Sequence, residues 1–399
     1  MPPPPPVPSL LDELLEEIFL RLPPGEPEHL ARASLASKLW LGRLTGPRFR
    51  GRYRERHGPP PMLGFLHTWL EGCGPEGKDP VPDFTLTTKF GARVPDDDDC
   101  GYHKYDAWDC RHGRVLLGDE NMLPIAVVVW DPMTGRRKDL PEPDLVNDSY
   151  GAAVLCAVPG CDHGACHAGL FEVVFVGLGM REDDGAGCVA QACVSLPDTG
   201  DWSMPCPIFD HHHWGEPCSG LHLEADAFVD RMPPVLVKEA VHFMLVYARD
   251  GHVEILKYDL RCSCLSLVDV PLVGPGIYGA AILMAMQDGS LGFAHVDGLT
   301  LYIWSREMDF NRAGSWSERT IIDLRNLLPI QNPEERLRLI GSVEGSDTVF
   351  VTTDLGIYEM NVKSQRWKEI WKSEEFRALI PYMSFYNPQE RVMPCDAAH

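Results

Sequence analysis

Two stretches of the sequence gather residue types that bind metal ions. Cys156, Cys161, His163, Cys166 and His167 fall within twelve residues, CAVPGCDHGACH. Four soft ligands of this kind could close a tetrahedral zinc site. The spacing is not that of a finger or ribbon, and the segment lies between two β-like runs, so it reads as an inter-strand loop of reduced thiols. His211-His212-His213, flanked by Cys206 and Cys218, is a weaker candidate, because adjacent histidines on a loop point apart. Asp96 to Asp99 lacks the alternating ligands and glycine of an EF-hand and reads as a solvated loop. The sequence carries no phosphate-cradling glycine loop, no nucleophile elbow and no His-Glu-x-x-His run. The expectation is a non-catalytic protein with no metal and no cofactor.

The elements that carry these residues are β-rich beyond Pro61. Short β-like runs there are separated by Gly, Pro, Asp and Asn. Gly113–Leu117 precedes Ile125–Trp130, and Asp131-Pro132-Met133-Thr134-Gly135 turns the chain. Phe171–Val176 precedes Ala192–Leu196, with Trp202 after the next turn. Val241–Ala248 and Val253–Tyr258 flank Arg249-Asp250-Gly251; Leu291–Val296 and Leu299–Trp304 flank Asp297-Gly298; Val349–Thr353 and Ile357–Met360 flank Asp354-Leu355-Gly356. The unit ends fall at Trp130, Leu196, Tyr258, Trp304 and Tyr358, at gaps of 66, 62, 46 and 54 residues. Four-stranded repeats of about 40 to 50 residues, with extra length in loops, predict a β-propeller. Five units are visible, and β-like runs remain at both ends, Met62–Leu66 and Phe84–Thr88 in front and Ile380–Tyr386 behind. Pairing the last strand with the first removes two exposed edges, which predicts six blades, or seven if Ser219–Val237 forms a blade of its own. The Trp-Asp pairs at Trp108 and Trp130 are too few for the WD repeat.

Ahead of Pro61 the periodicity is helical. In SLLDELLEEIFLRLP, from Ser9 to Pro23, the apolar positions are Leu10, Leu11, Leu14, Leu15, Ile18, Phe19 and Leu22. At about 100° per residue they sweep roughly 180°, wider than the stripe one side of a small unit covers. Ser9 and Asp12 suit the helix start, and Pro23-Pro24-Gly25 ends it. Glu28–Ser37 and Lys38–Leu44 predict two more short helices, and Arg48, Arg50, Arg52, Arg54 and Arg56 ring a solvated helix that leads out of the unit. Such a core is small to stand alone.

This region resembles the F-box, the adaptor-binding helical unit of cullin-RING ubiquitin ligases. The matching residues are Leu10, Glu13, Leu14, Leu15, Ile18, Phe19, Leu22 and Pro23, then Leu30-Ala31-Arg32-Ala33-Ser34, Ser37-Lys38, Trp40 and Pro47-Arg48-Phe49. Leu11 stands where the family usually has Pro, Ser37 where it often has Cys, and Leu41 where it has a basic residue. The stretch from Arg54 to Phe65 is similar to the transition in grass F-box proteins that carry a large associated domain. The resemblance implies a substrate-recognition subunit of an SCF-type ligase. Leu10, Leu11, Leu14, Leu15, Ile18, Phe19, Leu22, Pro23, Leu30, Leu35 and Trp40 would then meet a Skp-type adaptor, and through it cullin and RING subunits. The alternatives are a propeller enzyme or sugar-binding module with a helical appendage, and an F-box scaffold outside ubiquitination.

The organisation expected is therefore a proline-rich tail (1–8), a small all-α unit (9–57), a stiff linker (58–61), an all-β propeller that holds a protein substrate (62–390) and a C-terminal tail (391–399). No apolar run approaches a membrane span and no secretory signal is visible, so the thirteen cysteines read as reduced thiols of the cytoplasm or nucleus. Residues 9–57 hold nine basic and seven acidic side chains, which leaves 27 basic and 51 acidic elsewhere. A body this acidic argues against nucleic-acid binding. Its acidic loops, Asp96–Asp99 and Glu182-Asp183-Asp184 among them, predict substrates that offer a basic segment.

Overall fold

The computed structural model describes residues 12–70, 84–88, 105–119, 125–143, 145, 149–158, 161, 169–180, 187–196, 199–203, 220–272, 277–307, 314–372, 376–386 and 388. Within them the chain forms four short helices followed by six small antiparallel sheets.

The helices are α1 (Asp12–Leu20), α2 (Pro27–Ala36), α3 (Lys38–Thr45) and α4 (Pro47–His57). Prolines open α2 and α4, where the missing N–H costs nothing, and Ser37 caps α3 by accepting from the Leu39 N–H. Gly58 ends α4 in the left-handed region, its N–H returned to Arg54. Leu15, Phe19, Leu30, Leu44, Phe49 and Tyr53 form the unit's interior. The fourth helix holds the first by its polar groups: the Tyr53 hydroxyl donates to the Leu22 carbonyl at 2.7 Å, the His57 ring bonds the Leu20 carbonyl at 2.9 Å, and Arg52 and Arg56 pair with Glu16 and Glu17. These bonds satisfy carbonyls that the end of a helix leaves open.

The first blade begins with β1 (Met62–Trp69) and β2 (Phe84–Leu86). The second is β3 (Asp106–Arg111), β4 (Arg114–Asp119), β5 (Ala126–Trp130) and β6 (Arg137–Leu140). The third is β7 (Ser149–Cys156), β8 (Phe171–Met180), β9 (Gly187–Val194) and β10 (Leu221–Glu224). In the fourth, an interrupted inner strand, β11 (Ala227–Val229) and β12 (Val235–Val237), pairs with β13 (Ala240–Tyr247), followed by β14 (Val253–Asp259) and β15 (Cys264–Asp269). The fifth is β16 (Ala281–Ala285), β17 (Leu291–Asp297), β18 (Thr300–Glu307) and β19 (Ser315–Asp323). The sixth is β20 (Arg338–Val343), β21 (Thr348–Thr353), β22 (Gly356–Asn361) and β23 (Trp367–Trp371). The last strand, β24 (Phe376–Met383), returns to pair antiparallel with β1 and completes the first blade in the order β2-β1-β24.

The inner strands touch in a closed cycle: β24, β3, β7, the β11/β12 pair, β16, β20 and back to β24. One hydrophobic core fills each of the six blade interfaces. Each sheet is therefore covered on both faces. That is why β13 is buried at all eight positions and its sequence, AVHFMLVY, runs apolar where a one-sided strand would alternate. Outer strands such as β23 are mostly exposed. The expected six blades and the closure by both ends agree with this ring. The strands in Ser219–Val237 belong to the third and fourth blades, so they add no seventh. Trp130, Tyr258, Trp304 and Tyr358 all lie on the third strand of a sheet, and Leu196 lies just past one.

Two expectations change. Cys262 and Cys264 are bridged, where reduced thiols were expected throughout: the β14–β15 turn, with Ser263 in the left-handed region, brings their Cα atoms to 5.4 Å. The helical unit is also not merely tethered by Pro59-Pro60-Pro61. Phe385, just past β24, enters its core and meets Tyr53 edge-on at 5.9 Å, and the Arg54 guanidinium lies over the same ring.

Buried His242 on β13 makes a pH prediction. Burial, with help from the Lys257 and Arg306 charges, pushes its imidazole down to about 4. The ring is neutral when folded and takes a proton near pH 6.5 when unfolded, so this contribution is complete above pH 6.5 and is lost as pH falls towards 4. Urea unfolding at pH 7.5 and 4.5 reads the difference. Replacing His242 by Gln should shrink it by about 3 kcal/mol; an unchanged difference would show that His242 is not the group responsible.

Candidate functional site: a cross-braced channel and an outward helical face

Two arginines brace the channel. Arg111, at the end of β3, donates through Nε to Glu344 Oε2 at 2.8 Å, through Nη1 to Asp109, and through Nη2 to the Pro234 carbonyl. Asp109 in turn accepts from the Val154 N–H at 2.8 Å and the Cys110 N–H at 2.9 Å. This rung joins the second, third, fourth and sixth blades. Arg377, on β24, reaches Asp230 and the Tyr278 hydroxyl, each at 3.0 Å, and joins the first, fourth and fifth. Between them the two rungs reach every blade of the ring, the third through the Val154 N–H on Asp109.

Trp108 and Asp109 sit at a bulge in β3. The indole lies flat over Gly118 of β4, where a Cβ would stand 1.8 Å from the ring, so only glycine fits. Asp109 thus braces Arg111, while Trp108 packs on Gly118 and beside Tyr150. The second pair works locally: Asp131 accepts from the Met133 and Thr134 N–H groups and the Thr134 hydroxyl, and closes the β5–β6 turn.

A cavity of about 710 Å³ lies between the Arg111 rung and the end of α4, with Met232, Gln287, Glu344 and Met383 in its wall. Burial pushes the Asp109 carboxyl up to about 6, and Glu344 adds to the rise, against the pull of Arg111 and the two N–H donors. Burial and the Asp109 charge push the Cys110 thiol up as well, so it stays protonated and is a poor nucleophile.

The helical unit divides the predicted adaptor residues. Leu15, Phe19 and Leu30 are interior; Leu22 and Trp40 are half-buried, with Trp40 edge-on to Phe19 at 5.2 Å; Leu14, Ile18, Pro23 and Leu35 face out. Leu14 is 51 % exposed, Ile18 48 % and Leu35 74 %, and Leu39, which the sequence reading did not single out, is 59 % exposed. Leu10 and Leu11 lie outside the described residues, as do Ser9, the 1–8 tail, Asp96–Asp99, Glu182–Asp184, Cys206, His211–His213, Cys218 and the 391–399 tail. Of the metal candidate, Cys156 and Cys161 are described and half-buried; His163, Cys166 and His167 are outside the description. Among the described residues, Glu26, Glu28 and His29 bring their ligand atoms within 4.8 Å of one another, at the exposed start of α2. No described helix is long and apolar enough to cross a membrane.

No protein-family model matches the sequence, and no curated protein matches it. Solved structures with a distant likeness include the WD40 domain of SCAP from fission yeast, at 12 % identity and a TM-score of 0.35, over 68 % of this chain and 56 % of that one. TolB from Acinetobacter baumannii is similar at 12 % identity and 0.37, over 84 % and 69 %. A nidogen/laminin complex is similar at 10 % and 0.38, over 80 % and 97 %. These likenesses are too remote to bear on activity, and the propeller rests on the strand registers described above.

The brace makes a stability prediction. Replacing Arg111 by Met strands the Asp109 charge in the channel and should cost about 3–5 kcal/mol in urea unfolding. Adding Asp109→Asn should recover part of that loss. Glu344, whose side chain is 43 % exposed, should cost within about 1 kcal/mol when changed to Gln. Equal costs for Arg111→Met and Glu344→Gln would contradict the brace.

Proposed function

We propose that this chain is the substrate-recognition subunit of an SCF-type ubiquitin ligase, whose helical unit docks a Skp-type adaptor and whose propeller holds a protein substrate. The observation that carries the reading is the outward apolar face of the helices. Leu14 and Ile18 form one exposed row of α1, one turn apart, beside the buried row of Leu15 and Phe19; Leu35 and Leu39 add to the apolar surface from α2 and α3. Scattered exposed leucines need no explanation, but four on so small a unit favour a partner that covers them. The F-box resemblance supplies the partner's identity, cullin and RING subunits beyond it, and a setting in cytoplasm or nucleus. In this role the chain makes and breaks no bonds. It raises the local concentration of substrate lysines near a charged conjugating enzyme.

The test is a double substitution, Leu14→Asp with Ile18→Asp. Both side chains are exposed, so stability should change by no more than about 1 kcal/mol. Affinity for a purified Skp-type adaptor should fall about a hundredfold or more, because two charges would enter a dry interface. Unchanged affinity would overturn the reading.

A further inference from the structure

The turn between β14 and β15 carries a disulfide that its fold does not need. Cys262 and Cys264 are bridged across a single residue, Ser263. Cys264 is the first residue of β15 and pairs with Asp259, the last of β14. Other groups already hold this turn. Asp259 Oδ1 accepts from the Arg261 N–H at 3.1 Å, and Lys257 Nζ holds Oδ2 at 2.9 Å. The Leu260 N–H donates to the Glu239 carbonyl at 2.9 Å, and Leu265 is buried in the core between the third and fourth blades. A cross-link stabilises mainly by restricting the unfolded chain, and its effect grows with the loop it closes. A bridge between positions two apart closes the smallest of loops and adds little to the ring.

We propose that this bridge is a thiol–disulfide exchange site, opened by a small thiol such as glutathione and closed again by the corresponding disulfide, with Cys262 as the residue attacked. Cys262 is exposed in the turn, whereas Cys264 is half-buried where the ladder begins. An incoming thiolate attacks Cys262 Sγ, forms a mixed disulfide there and expels the Cys264 thiolate, which takes up a proton. A second thiolate attacks the sulfur of the bound small thiol and releases Cys262 as a thiolate, which is protonated in turn. Two small thiols are oxidised to one disulfide, and the protein disulfide is reduced to two thiols; two electrons and two protons pass to the protein. The bridge closes over Ser263 at φ 52°, in the left-handed region that L side chains disfavour. An exposed bridge over strained backbone is of the labile kind. Reclosing is favoured by the same turn. Its Asp259 and Glu239 bonds do not depend on the bridge and keep the two cysteine backbones adjacent after reduction, within the Cα separation a disulfide spans. The proposal does not rest on adaptor docking.

The test incubates the full chain in a series of reduced and oxidised glutathione mixtures, then quenches with acid, alkylates and maps the turn by mass. The turn should pass from bridged to doubly alkylated as the reduced share rises, along one curve whether the chain starts oxidised or reduced. The urea unfolding midpoint should hold across the series. Cys264→Ser, which leaves Cys262 alone, should gain a glutathione adduct at Cys262 about tenfold faster or more than Cys262→Ser gains one at Cys264, because exposure governs access to the sulfur. A turn that stays bridged in reduced glutathione alone, or that does not close in oxidised glutathione, overturns the proposal. So does a midpoint that falls when the bridge opens, which would make the bridge a structural one. An adduct that forms as fast at Cys264 as at Cys262 overturns the assignment of Cys262 as the residue attacked.

Discussion

Arg111 commits its guanidinium to partners 2, 123 and 233 residues away, on three different blades. The two distant contacts exist only when the ring is closed, since Glu344 follows β20 and Pro234 precedes β12. The rest of the architecture carries the same constraint. Every sheet is apolar on both faces, so a blade without neighbours would expose a whole core. The β24–β1 pairing meets that requirement by covering the first and last edges together. Hydrophobic burial supplies the driving force. The buried pair adds geometry, because a misplaced blade would strip Arg111 of Glu344 or the Pro234 carbonyl, or Asp109 of the Val154 N–H.

The same closure reaches the helical unit. Phe385 follows β24 directly, so the strand that seals the ring also delivers the aromatic that enters the helical core. With Pro59-Pro60-Pro61 on one side and Phe385 on the other, the unit is held at two points on the ring face. Under the proposed role this matters more than the stiffness of the linker. The exposed row of Leu14 and Ile18 keeps a set direction relative to the ring, so a substrate held by the ring would stand at a defined place relative to an adaptor on that row.

Much of the ring was legible in the sequence because its signals are local. Hairpins announce themselves through Asp-Gly turns, and both-sided burial through runs such as VHFMLVY. The closing strand followed from the edge argument alone. The braces were not legible, since no periodicity in β3 foretells that Arg111 meets Glu344. Trp108 and Asp109 were visible as a pair, but their work is done with Gly118 and Val154, on other strands. The helical periodicity showed the width of the apolar arc on α1, and only packing shows which half turns inward.

The account claims that the helices receive the adaptor while the ring stays as it is. Hydrogen–deuterium exchange on the full chain, with and without a Skp-type adaptor, measures both halves at once. It predicts protection across α1, α2 and α3, with amides of the inner strands, Val154 among them, unchanged. Protection in the propeller with the helices unaltered would contradict it.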